Sequence, residues 1–148
     1  MIGSQAILGS FPEAPEELLV SIEADICPMD DPGKTDLIDG TIGELSPFHE
    51  TFGYYAHGIG PETAVLPARW KERLVRIENE NTAGVAGWCL SPPDLAVSKL
   101  LAGRPKDISY VRAMLKFRLT STPAIEALLG ELQPMQGQTV QDRLTLCH

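Results

Sequence analysis

The spacing of apolar residues changes at Ser91, and this change constrains the fold more than any other feature of the sequence. Before it, apolar residues alternate over short runs bounded by glycine and proline, the habit of half-buried strands. After it, they recur at helical spacing. Residues 18–26 (LLVSIEADI) predict a strand. Leu19, Ser21, Glu23 and Asp25 share one face, and Val20, Ile22, Ala24 and Ile26 the other. Residues 52–59, 63–66 and 74–77 read as further strands, 83–90 as a weaker one, and 3–11 as a Gly-Ser turn entering a short helix that Pro12 and Pro15 break. Ser91 then caps a helix with Pro92 and Pro93 at its start, Asp94 in its first turn and Gly103 at its end. Helices over 106–118 and 123–132 follow. Strands first and helices second predict an α+β domain with a small mixed sheet. Residues 1–90 form its sheet region and 91–133 its helical region, with 134–148, largely polar, as a flexible tail.

A chain of 148 residues, 43% hydrophobic and 22% charged, suits one domain with a real core. No run approaches the roughly 18 uncharged apolar residues of a bilayer span. No basic, then apolar, leader opens the chain. Cys27, Cys89 and Cys147 make no metal-type pair and leave an odd count, which predicts reduced thiols and a cytoplasmic protein.

The net charge of -8 is unevenly spread. Residues 1–68 carry twelve acids and one base, whereas residues 69–118 carry ten bases and five acids. An acidic half can hold a divalent cation, and a basic stretch can hold phosphates or an RNA backbone; the same bases can equally be solvated helix faces. The acidic balance argues against DNA as a partner, sequence-specific or otherwise.

Two constellations can carry chemistry. Gly3-Ser4, in a turn entering a helix, offers N–H groups and a hydroxyl to a phosphate. Glu23 and Asp25, alternate residues of a strand, lie roughly 7 Å apart on one face and can share Mg²⁺. An E-x-D pair is also what the solvent face of an amphipathic strand carries. The second constellation is Asp94, Lys99, Arg104, Lys106 and Asp107. Lys99 and Arg104 suit a triphosphate, and Asp107 can orient a lysine, a metal or a hydroxyl; surface ion pairs of a helix hairpin give the same pattern. His49-Glu50 is no zinc-protease motif, since residue 53 is Gly, and His57 reads as a packed or surface histidine.

The runs GSQAILGSFP, SIEADI, SPFHETFGYYAHGIGPETAVLPARWKERLV and CLSPPDLAVSKLLAGRPKD together resemble the nucleotidyltransferases of the DNA polymerase β superfamily. Within it they resemble the small bacterial branch related to AbiEii-type toxins of toxin–antitoxin systems. The resemblance spans about residues 1–118. It implies an NTP held at its phosphates by Gly3 and Ser4, with Mg²⁺ on Glu23 and Asp25. It also implies a phosphate-facing Lys99 and a later acid at Asp107, flanked by Arg104 and Lys106. An RNA acceptor such as tRNA, or a protein acceptor, and an antitoxin partner follow from the same likeness.

Three departures accompany it. Glu stands where Asp is usual in the acidic pair. The superfamily's third carboxylate has no clear counterpart, with Glu62 and Glu78 as candidates. The helix and strand that precede the Gly-Ser turn in relatives are represented by Met1-Ile2 alone. The alternative implied by these departures is a catalytically inactive binding or regulatory module on the same fold.

Overall fold

A computed structural model describes residues 1–148. The chain opens with a 3-10 turn, Ser4–Gly9, whose Ala6 and Ile7 are fully buried. Pro15 leads into a second such turn, Glu16–Leu18, and strand β1 covers Glu23–Ile26. Helices α1 (Thr35–Ile42) and α2 (Pro47–Phe52) follow, then β2 (Tyr55–Gly58), β3 (Val75–Ile77) and β4 (Gly87–Cys89). The helical part comprises α3 (Pro92–Ala102), α4 (Pro105–Lys116), α5 (Thr122–Glu126) and α6 (Pro134–Thr145). No helix is long and apolar enough to cross a membrane.

The fold is α+β, and its strands form a parallel pair, β1 with β2, and an antiparallel pair, β3 with β4. The backbone of Met1 and Ile2 links them. The Ile2 N–H donates to the Asp25 carbonyl at 3.0 Å, and the Leu90 N–H donates to the Met1 carbonyl at 3.1 Å. The two pairs are thereby laced edge to edge.

Helix α3 is the centre of the core. Leu95, Ala96, Val97 and Leu100 are all 0% exposed, because α4, α5, α6 and the first 3-10 turn surround it. Its N-terminus is capped by the Ser91 hydroxyl, which accepts from the Asp94 N–H at 3.3 Å. Its C-terminus ends at Gly103 in the left-handed region, φ +67°. Glycine is required there twice over: for that backbone angle, and because a Cβ would collide with the Arg143 guanidinium. That guanidinium donates to the carbonyls of Leu100 and Leu101 at 2.6 and 2.8 Å, satisfying the helix end.

Several elements differ from the sequence expectation. The strand predicted over 18–26 is regular only from Glu23, since Pro15 starts a turn that runs through Leu18. Residues 63–66 form no strand; Pro61 instead opens a 3-10 turn, Pro61–Thr63. In the 83–90 segment only Gly87–Cys89 pairs, because Ala83 and Gly84 take positive φ and bend the chain away. The helix expected over 123–132 divides into α5 and a 3-10 turn, Leu129–Glu131. Residues 134–148, expected as a loose tail, mostly form α6. Val140, Leu144 and Cys147, spaced along one face, are buried in the core.

Candidate active site

The parallel register sets Glu23 opposite Tyr55 and Asp25 opposite His57. Residues directly across a ladder share a face of the sheet. One face of this ribbon therefore carries two carboxylates, a phenol and an imidazole. The Tyr55 hydroxyl donates to Glu23 Oε2 at 3.0 Å. His57 Nδ1 stands 3.2 Å from Glu23 Oε1 and 3.6 Å from Asp25 Oδ1. One ligand atom from each of Glu23, Asp25 and His57 lies within 4.8 Å of the other two.

These residues form one wall of a cavity of about 590 Å³, a volume suited to a nucleotide. Gly3, Ser4, Lys99, Arg104 and Lys106 also line it. Lys99 reaches in from α3 and donates to Ser4 Oγ at 2.8 Å, while the Tyr110 hydroxyl donates to the Ser4 carbonyl at 2.6 Å. Ser4 is thus held from α3 and α4 together. Gly3 is glycine because Asp25 packs against it: a Cβ there would lie 2.8 Å from Asp25 Cγ. A second cavity, of about 540 Å³, shares Ser4, Ser21, Lys99 and Lys106 with the first.

Asp107 lies behind this wall. It is 1% exposed, accepts from Arg104 Nε at 2.6 Å, and stands 3.4 Å from Lys99 Nζ. Burial pulls its carboxyl upward, but the Arg104 hydrogen bond and the Lys99 charge outweigh that pull and hold it below the usual range. Burial lowers the Lys99 ammonium, against the opposing attraction of Asp107. In the acidic pair the two carboxyls are shifted in opposite directions. Burial, then the hydrogen bond and charge of Glu23, raise Asp25. Burial raises Glu23 as well, but its hydrogen bonds with Tyr55 and Asp25 and the nearby His57 outweigh that and lower it. Two carboxylates this close, with the imidazole beside them, are a donor set that could hold a divalent ion.

Gly3, Ser4, Glu23, Asp25, Lys99, Arg104 and Lys106 therefore meet at one cavity, with Asp107 one layer behind. Asp94 does not join them. It lies five residues before Lys99, which turns it well away around the helix. It is fully buried and paired to Arg73 at 2.8 Å. Glu78 pairs with Arg76, and Glu62 sits exposed in the Pro61–Thr63 turn; neither belongs to the cation cluster. His57 is the site residue that sequence reasoning missed. The available signal was the Y-A-H alternation of residues 55–57, which repeats the E-A-D alternation of residues 23–25.

A family model described as a nucleotidyltransferase of unknown function (DUF6036) matches residues 41–143, well over half of the chain. The chain belongs to that family. His57, Lys99, Arg104, Lys106 and Asp107 lie within the matched span, and Gly3, Ser4, Glu23 and Asp25 precede it. No curated protein and no solved structure matches the chain.

Proposed function

We propose that this nucleotidyltransferase-family chain is a Mg²⁺-dependent enzyme that moves a nucleotide from an NTP to a hydroxyl of an RNA, such as tRNA, or of a protein. The observation that carries the reading is that Glu23 and Asp25 line the same nucleotide-sized cavity as the Ser4–Lys99 pair. Glu23 and Asp25 would hold the metal. Bound Mg²⁺ would neutralise phosphate charge and steady the departing pyrophosphate. The N–H groups and hydroxyl at Gly3-Ser4, with Lys99, Arg104 and Lys106, grip the triphosphate and orient its α-phosphorus. Asp107 positions Lys99 and Arg104 and also lines the adjoining cavity. The acceptor hydroxyl approaches through the adjoining cavity, whose wall Lys106 and Ser109 also share.

A cytoplasmic setting is supported by the three free cysteines. A role as the toxin of a toxin–antitoxin pair is supported by the likeness of the DLAVSKL and GRPKD runs to that branch. Calorimetric titration of ATP or CTP with Mg²⁺ tests the site: binding heat is expected from the wild type and lost in Asp25→Ala. Undiminished heat in the variant would overturn the reading. Labelled NTPs offered with total RNA and protein then identify the acceptor. The second reading, a binding module without turnover, is favoured by one observation: neither Glu62 nor Glu78, the candidates for a third carboxylate, joins the acidic pair, whose remaining neighbour in the cluster is an imidazole. Binding without transfer in the labelled assay would select it.

A further inference from the structure

We infer that His57 is the third protein ligand of the cation, and that Glu23, Asp25 and His57 form a mixed oxygen–nitrogen site that holds a first-row transition ion such as Mn²⁺ more tightly than the Mg²⁺ of the proposed reaction. This deepens the divalent-cation reading above and rests on it. An octahedral ion with ligands at about 2.1 Å holds neighbouring ligand atoms about 3 Å apart and opposite ones about 4.2 Å apart. His57 Nδ1 already stands 3.2 Å from a Glu23 oxygen and 3.6 Å from an Asp25 oxygen. All three candidate atoms fall within 4.8 Å of one another. A cation placed between them needs side-chain adjustments only, since the β1–β2 backbone register already puts the three residues on one face.

Tautomer and access agree with this role. A neutral imidazole ligates through a bare nitrogen and keeps its proton on the other. Nδ1 points at the two carboxylates and donates its proton to Glu23; a cation entering between them takes that proton's place, and the ring proton moves to Nε2. The His57 side chain is half exposed, so Nε2–H can donate to water, which fixes that tautomer when the metal is bound. Glu23 is further oriented by the Tyr55 hydroxyl from the same strand as His57.

Ligand chemistry then selects the ion. An all-oxygen set suits Mg²⁺, whereas replacing one oxygen with imidazole favours first-row transition ions. Among these ions Mn²⁺ also accepts carboxylate, water and phosphate oxygens, so it can report the nitrogen ligand while standing in for Mg²⁺ at the same positions.

The probe is Mn²⁺ added alone to the full chain and followed by electron paramagnetic resonance. Three results are expected. Mn²⁺ binds about tenfold more tightly than Mg²⁺ in competition. Pulsed spectra of the bound ion show coupling to one imidazole nitrogen. His57→Ala abolishes that coupling and weakens Mn²⁺ roughly ten- to hundredfold. His57→Asp, which restores an oxygen ligand and serves as the folded control, loses the nitrogen signal and reverses the preference toward Mg²⁺. Bound Mn²⁺ without nitrogen coupling in the wild type overturns the ligand assignment while leaving nucleotide transfer intact. Absence of Mn²⁺ binding also overturns it. Nitrogen-coupled Mn²⁺ in a protein that neither binds nor transfers NTP supports the assignment and defeats the transferase reading instead.

Discussion

Lys99 Nζ donates to Ser4 Oγ at 2.8 Å, joining the last turn of α3 to the first turn of the chain across 95 positions of sequence. The ammonium is shared between this hydroxyl on the cavity side and Asp107 behind it. Lys99→Met keeps the aliphatic stem and removes the charge. NTP affinity is expected to fall at least about tenfold, the worth of a charge-assisted phosphate contact. Asp107 retains Arg104 as its partner, so urea unfolding should register a loss of only about 1 kcal/mol. Nucleotide titration and urea unfolding of the same variant separate the two effects.

Gly3 gives the opposite kind of test. Adding a methyl group in Gly3→Ala places it against the Asp25 carboxylate, which is able to rotate away. The expected outcome is a folded protein whose divalent-cation affinity is reduced about tenfold or more, because ligand orientation sets affinity. Circular dichroism and metal titration check it. Wild-type cation affinity in the alanine variant would show that Asp25 points elsewhere in solution.

Arg73 is the main electrostatic support of the fold. It grips Asp94, which is fully buried, at 2.8 and 2.9 Å, and Glu131 at 2.9 Å. Arg69 shares Glu131, and the hydrogen bonds from Arg73 and Arg69 hold its carboxyl down to about 2. Arg73→Met strands the Asp94 charge and is predicted to cost about 3–5 kcal/mol in urea unfolding. A double variant, Arg73→Met with Asp94→Leu, should recover part of that loss, since it removes both charges together.

Asp107 predicts a pH dependence. Its folded carboxyl lies below the ordinary value of 3.8, because Arg104 and Lys99 overcome the effect of burial. A carboxyl lowered by folding stabilises the folded state above its unfolded value, and that contribution fades as pH falls through the lower folded value. The stability gap between wild type and Asp107→Asn should therefore be full at about pH 6 and shrink below about pH 3.8. Urea midpoints measured across that range check the sign. A gap that widens on acidification would contradict it.

Much of the site was legible because its parts announce themselves locally. Gly3-Ser4, the E-x-D alternation and the capped helix bearing Lys99 are each short-range patterns, and each stands where its pattern puts it. His57 was not legible, because its place depends on a parallel pairing with a strand 32 positions earlier. Parallel strands have no connecting turn whose residues would disclose the register. Asp94 misled for a related reason. Its position in the first turn of α3 is visible in the sequence, but its burial depends on Arg73, which a loop brings from 21 residues away. In α6, sparse apolar residues hid a good helix: Val140, Leu144 and Cys147 are few, but they occupy one stripe, and Pro134 opens the helix.

The helix that carries Lys99 is staked at each end. Ser91, Asp94 and Arg73 pin its start, and Arg143 grasps its last carbonyls. Fixed in this way, the helix holds Lys99 on a firm support, whereas the β1–β2 ribbon that carries the acidic pair is slender, with one edge laced to Ile2 and its far strand braced mainly by α1.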